Sequence, residues 1–196
     1  MKRNLITAIL MTVVTTILLG LVYPMVVTGL AQLMFPDKAN GQLIVRDGKV
    51  IGSRIIAQPF TGAGYFHPRG SAAGSNGYDA ANSGATNLGP TNRALIDRVK
   101  ADVATANSEN PGKAVPADYV TTSGSGLDPD ITPANAEFQA PRVAKERGVS
   151  QEQLLDLVHQ HTQEREFGLL GEARVNVLEL NLDLDSKYPP QKRASR

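Results

Sequence analysis

Leu5 to Phe35 reads LITAILMTVVTTILLGLVYPMVVTGLAQLMF, and no charged side chain falls between Arg3 and Asp37. A helix over that stretch rises about 46 Å at ~1.5 Å per residue, more than the ~30 Å hydrocarbon layer, so it spans a bilayer once with tilt. A cleaved signal peptide is the rival reading, because Lys2 and Arg3 form a positive start and Gly29-Leu30-Ala31 a small-x-small cleavage site. Such peptides carry only ~7–15 apolar residues, which favours the uncleaved anchor. The positive-inside rule then makes residues 1–4 a cytoplasmic tail, residues 5–35 the span and residues 37–186 a domain on the far side of the membrane.

Composition narrows what that domain does. Lys and Arg number 20 against 19 Asp and Glu, a net charge of +1, which leaves no electrostatic footprint for nucleic acid. Without cysteine, disulfides, thiolate nucleophiles and sulfur-ligated metals are excluded. The domain is long enough to bury a core unaided. Within the span, Ala8, Thr12, Thr16, Gly20, Pro24 and Thr28 recur every four residues, a row of small side chains along which a second helix could approach. Small residues are also common in spanning helices without any partner, so both readings stand. Pro24 removes a backbone donor and crowds the carbonyl four residues back, which loosens the helix there.

After Pro36 the chain reads as a single α+β domain. Gln42 to Val45 and Lys49 to Gln58 flank Asp47-Gly48, a pair that supplies the positive φ values of a two-residue hairpin turn. Residues 61–89, TGAGYFHPRGSAAGSNGYDAANSGATNLG, hold seven glycines and few aliphatic side chains, so they build no core of their own. Leu95, Val99 and Val103 behind Thr91 as N-cap predict a helix. A second polar loop, TTSGSGLDPDITP, leads to a short helix opened by Pro133 and carrying Gln139 and Arg142. Ser150 and Gln153 make a capping box, with Val149 and Leu154 as its hydrophobic staple. Val175 to Leu184, VNVLELNLDL, alternates apolar and polar residues and predicts a strand covered on one face. Residues 187–196 read as a disordered basic tail.

The chain offers few groups for catalysis. His159 and His161 stand two apart on a helix and face different ways, which does not suit a shared metal. The sequence contains no G-x-S-x-G, HExxH or P-loop pattern. A serine hydrolase using Ser123 or Ser125 remains an alternative, since triads assemble in space, as does a stand-alone anchored binding module. Asp128, Gln139 and Arg142 form a candidate structural clamp or docking group: SGSGLDPD is rich in turn residues that need an organiser, and a guanidinium can hold loop carbonyls together with Asp128.

The segments YPMVVTG, NGQLI, IGSRIIAQPF, YFHPRGSA, SGATNLGPTN, VPADYVTTSGSGLDPDITPANAEFQAPRVAKERG and LGEARVNVLELNLDLD, in that order, resemble the C subunit of the bacterial Kdp potassium-transporting P-type ATPase. The resemblance covers almost the whole chain. It implies a non-catalytic, single-pass subunit of the cell inner membrane whose partners are a potassium-translocating subunit and an ATP-hydrolysing subunit that works through an aspartyl-phosphate. It also implies a catalytic chaperone that raises the hydrolysing subunit's affinity for ATP, with Ser83, Gly84 and Asn87 as the nucleotide-binding residues. Where that family usually reads Ser-Gly-Gly-Ser-Asn, this chain has Ser83-Gly84-Ala85-Thr86-Asn87, and Ala85 weakens any role that needs a positive φ. ATP is cytoplasmic while the segment is expected outside, so no cofactor is expected to bind tightly and ATP is reached through the catalytic subunit.

Overall fold

The computed structural model describes residues 1–190, which fall into two units, Met1–Ile51 and the chain from Gly52 onward. In the first, a helical stretch over Lys2–Met34 is long and apolar enough to cross a membrane. It comprises α1 (Lys2–Ile17), a π-turn (Leu18–Val22) and α2 (Tyr23–Met34). The π-turn has a local cause. Pro24 has no N–H to donate to the Gly20 carbonyl four residues back, and the ladder widens just before it, with the Tyr23 N–H reaching Leu18 O. Thr7, Thr12 and Thr15 turn their hydroxyls onto the carbonyls of Arg3, Ala8 and Met11, satisfying these polar groups within the helix.

A single turn, α3 (Pro36–Ala39), follows, and the side chains of Gln32 and Asn40 exchange amide hydrogen bonds of 3.2 and 3.1 Å. Strands β1 (Leu43–Arg46) and β2 (Lys49–Ser53) then pair around Asp47 and Gly48, whose φ values of 52° and 73° are those the turn requires. The second strand stops at Ser53 rather than running to Gln58. There Ser53 Oγ accepts the Ile55 N–H, and the Ala57 N–H goes to Leu127 O instead of a strand partner.

The second unit packs helices on a small antiparallel sheet of order β3-β5-β4. The strands are β3 (Asp130–Ile131), β4 (Thr162–Gln163) and β5 (Arg174–Asn176), and Val175 pairs with both Ile131 and Thr162. Helices α4 (Arg93–Glu109), α5 (Ala117–Val120), α6 (Pro133–Arg147), α7 (Gln151–His161) and α8 (Val177–Lys187) complete it. The core joins Val143 and Ala144 of α6, Leu154, Leu157 and Val158 of α7, Leu180 and Leu184 of α8, Val175, and Phe66 from the glycine-rich loop. Together with the apolar N-terminal helix this is the α+β class expected.

Four further local expectations need correction. Asn92, not Thr91, caps α4, its side-chain oxygen accepting the Ala94 N–H. The helix opened by Pro133 is no short one: it runs 15 residues to Gly148, which ends it in the left-handed conformation at φ 68°. Val175 to Leu184 is a strand only as far as Asn176. That side chain accepts the Glu179 N–H and starts α8, which buries Val177, Leu178, Leu180, Asn181 and Leu184. This is helical spacing, disguised because one inward position is the polar Asn181. Lys187, assigned to the tail, closes α8 and bonds Gln160; residues 191–196 of that tail lie outside the described residues. The capping box forms as read, Ser150 and Gln153 exchanging both bonds.

Candidate functional site: a clamped glycine-rich loop

Gly62 to His67 has no strand partner, yet its backbone is held residue by residue by side chains. Arg142 donates from Nη1 to Ala63 O (2.6 Å) and Tyr65 O (3.0 Å). Arg147 Nε donates to Gly64 O at 2.7 Å. Asn181 accepts the Phe66 N–H and donates to Phe66 O (2.9 and 2.8 Å), and Gln139 does the same for His67 (2.7 and 3.0 Å). Two amide side chains, one on α8 and one on α6, thus imitate flanking strands for consecutive residues. This satisfies backbone groups that burial of Phe66 would otherwise strand. Gln139 also donates to Asn135 Oδ1 (2.8 Å) and accepts from Arg142 (2.7 Å), so its hydrogen-bonding groups are committed inside the fold.

The charges here are paired. Burial pulls the Arg142 guanidinium below its ordinary value, and Glu109, 3.8 Å away, opposes that shift. Arg147 is 3% exposed, stacks 4.5 Å above the Tyr65 ring and lies 2.7 Å from Asp185. Tyr119 donates to Glu109 Oε2, and burial, then that carboxylate, push its phenol up to about 12. His67 sits with its Nε2 3.0 Å from Gly62 O, which fixes the proton on that nitrogen. Burial, then Arg142, lower its pKa from 6.5.

That lowering has a sign. The unfolded chain binds the imidazole proton more readily than the folded one, so folding is favoured at neutral pH and weakened as pH falls through 6.5 toward the depressed folded value. Thermal melts between pH 7.5 and 5 should show stability dropping with acid, and His67→Gln should flatten that part of the profile.

The second polar loop meets the first at Gly126, whose φ is +69°. A Cβ built there would lie 2.7 Å from Ala73 N and 2.7 Å from Gly84 O, so three loop segments converge where only hydrogen fits. Ser71 Oγ donates to Gly126 O at 2.5 Å and accepts the N–H groups of Ala73 and Tyr78. Beside this junction an open cavity of about 410 Å³ is lined by His67, Tyr78, Asp102, Tyr119 and Gln139 among others.

Of the residues singled out from sequence, Gln139 and Arg142 come together; Asp128 does not join them. Asp128 pairs with Arg69 at 3.0 Å, and Arg69 also donates to Thr122 O. The loop that Arg142 organises is therefore the one around Ala63 and Tyr65, not SGSGLDPD, which has its own arginine. Ser83 Oγ and Gly84 N both donate to Ser125 O at 2.9 Å. The positive φ in that segment falls on Asn87, at 52°, so the substitution to Ala85 meets no left-handed requirement.

Ser123 is buried, Ser125 Oγ accepts the Leu127 N–H, and among the described residues neither hydroxyl is hydrogen-bonded to a histidine or carboxylate. His159 faces Glu137 at 3.6 Å and His161 faces Asp183 at 2.8 Å, on different sides of α7. Along the N-terminal helix, the π-turn at Leu18–Val22 lies between Thr16 and Pro24, so Ala8, Thr12, Thr16, Gly20, Pro24 and Thr28 do not follow one uninterrupted α-helical row. Sequence reasoning missed Arg147, Asn181 and Arg69. Asn181 was findable: Asn176-x-x-Glu179 is a capping pattern of the same kind as Ser150-x-x-Gln153 and sets the helical phase that turns Asn181 inward.

Residues 5–186 match the family model described as "K+-transporting ATPase, c chain". Among similar curated proteins, one from Koribacter versatilis is 67% identical over 96% of this chain and 97% of its own. Another from Rhodospirillum rubrum is 55% identical over 96% and 98%, and one from Acidobacterium capsulatum 56% over 95% and 100%. Each of the three is named "Potassium-transporting ATPase KdpC subunit". A match of this extent, reaching from the apolar N-terminal helix into α8, places the chain in the KdpC family of potassium-transporting ATPase subunits.

Proposed function

We propose that this chain is an accessory subunit that holds a potassium pump in its working assembly, while ion translocation and ATP hydrolysis take place in partner chains. The observation that carries this reading is the commitment of the polar loops to internal bonds. Ser83 and Gly84 bind Ser125, and Gln139 and Arg142 bind the 63–67 backbone. A loop braced in this way serves as a rigid docking scaffold better than as a mobile nucleotide cradle. Any effect on ATP affinity is then transmitted through the assembled complex, in which the hydrolysing subunit contacts the nucleotide. The topology that fits has Lys2 and Arg3 in the cytoplasm, the helix in the inner membrane and the folded domain outside.

Two linked measurements test the reading. A tag on this chain should recover larger multi-span subunits in mild detergent. Protease added to right-side-out vesicles should digest the domain beyond about residue 37, whereas inverted vesicles should protect it. Protection in the first preparation would put the domain in the cytoplasm and reinstate direct nucleotide contact.

A further inference from the structure

Among the described residues from Gly52 onward, the exposed large hydrophobic side chains are Ile55 and three that share one turn: Phe167 (90% exposed), Leu169 (82%) and Leu170 (62%). The turn caps the hairpin formed by β4 and β5 and is tightly built. Glu166 and Leu170 exchange both backbone bonds at 2.9 Å, Leu169 N donates to Glu166 O, and Gly168 N donates to Arg165 O. Arg165 and Glu172 close its base at 2.6 Å. Phe167 and Gly168 have φ of 54° and 73°, values at which asparagine and glycine are the ordinary residues and a phenylalanine is strained. A strained aromatic held at the tip of a braced turn, with two leucines beside it, is presented outward at a conformational cost the rest of the hairpin sustains.

We infer that Phe167, Leu169 and Leu170 form a knob that seats in an apolar groove, rimmed by basic side chains, on another protein subunit of the same pump; this rests on the accessory-subunit reading above. Charge chooses the partner. Glu164 and Glu166 precede the tip in sequence while Arg165 and Glu172 neutralise each other, and this acidic excess opposes an anionic bilayer surface and complements a basic rim. Three such side chains expose on the order of 400 Å², so a symmetric knob-to-knob contact between two copies would fall short of the ~1,000 Å² of a stable interface. A small knob is sufficient for a chain that its own membrane helix keeps beside the complex at high effective concentration.

The test uses the full chain, co-expressed with the other pump subunits and carrying photoreactive benzoylphenylalanine in place of Phe167. Irradiation of the purified complex should give one adduct, this chain joined to a larger subunit. Adducts between two copies of the chain, adducts with lipid only, or no adduct in an intact complex would each overturn the knob. The double variant Phe167→Asn with Leu169→Ser should keep the melting temperature of the chain within about 2 °C, since asparagine suits the positive φ. It should lower the yield of complex at least threefold, and an undiminished yield contradicts the proposal. Failure of the unmodified chain to recover any other subunit would instead overturn the accessory-subunit reading on which the knob depends.

Discussion

Gly126→Ala should cost the domain about 2–5 kcal/mol, from ~1–2 for forcing a side chain into the left-handed region and ~1–3 for overpacking. The added methyl meets Ala73 N and Gly84 O at 2.7 Å, and both are backbone, so relief requires moving whole loop segments. Such a movement breaks the Ser71 to Gly126 bond and the pair of bonds on Ser125 O together. At ~2–4 °C per kcal/mol for a domain of this size, a melting point about 10 °C lower is expected in detergent-purified protein. Gly124→Ala, two residues away, is the control: nothing lies within 4 Å of the added atom, and stability should stay within about 0.5 kcal/mol. Equal melting points for the two variants would show that the loops do not converge at Gly126.

Arg142→Ala is expected to destabilise the chain by about 2–4 kcal/mol, because it strips a charged donor from the Ala63 and Tyr65 carbonyls and from Gln139 at once. Arg142→Lys should recover little, since one ammonium cannot reproduce the planar fork that reaches all three acceptors. Recovery of pump subunits should fall in step with thermal stability, and complexes that do form should keep their ATP affinity. A variant that melts normally but no longer recovers partners would move Arg142 from the internal clamp to the interface.

The elements legible in the sequence were those with a complete local signal. The long apolar helix over Lys2–Met34 announced itself through thirty-odd uncharged residues, more than the ~20 that a membrane crossing needs. α7 carried its whole start in Ser150, Gln153, Val149 and Leu154. The β1–β2 turn needed only Asp47-Gly48. What escaped depended on buried polar groups. Asn181 points inward because Phe66, far away in sequence, presents it with a backbone N–H and C=O, so the apolar pattern alone suggested a strand. The choice of Arg142 for one loop and Arg69 for the other is equally non-local. Both guanidiniums had turn-rich segments to organise, and the fold alone brings Ala63 to α6 and Asp128 to Arg69.

If the polar loops brace this subunit and do not hold ATP, the ATP dependence of potassium-stimulated hydrolysis should be insensitive to their side chains. The assembled pump would carry Ser83→Ala together with Asn87→Gly, the glycine keeping the 52° φ of Asn87 accessible. The KM for ATP should stay within about twofold of wild type, under ~0.4 kcal/mol in binding free energy. A KM raised tenfold or more in a fully assembled, normally stable complex would contradict it and return the nucleotide to Ser83, Gly84 and Asn87.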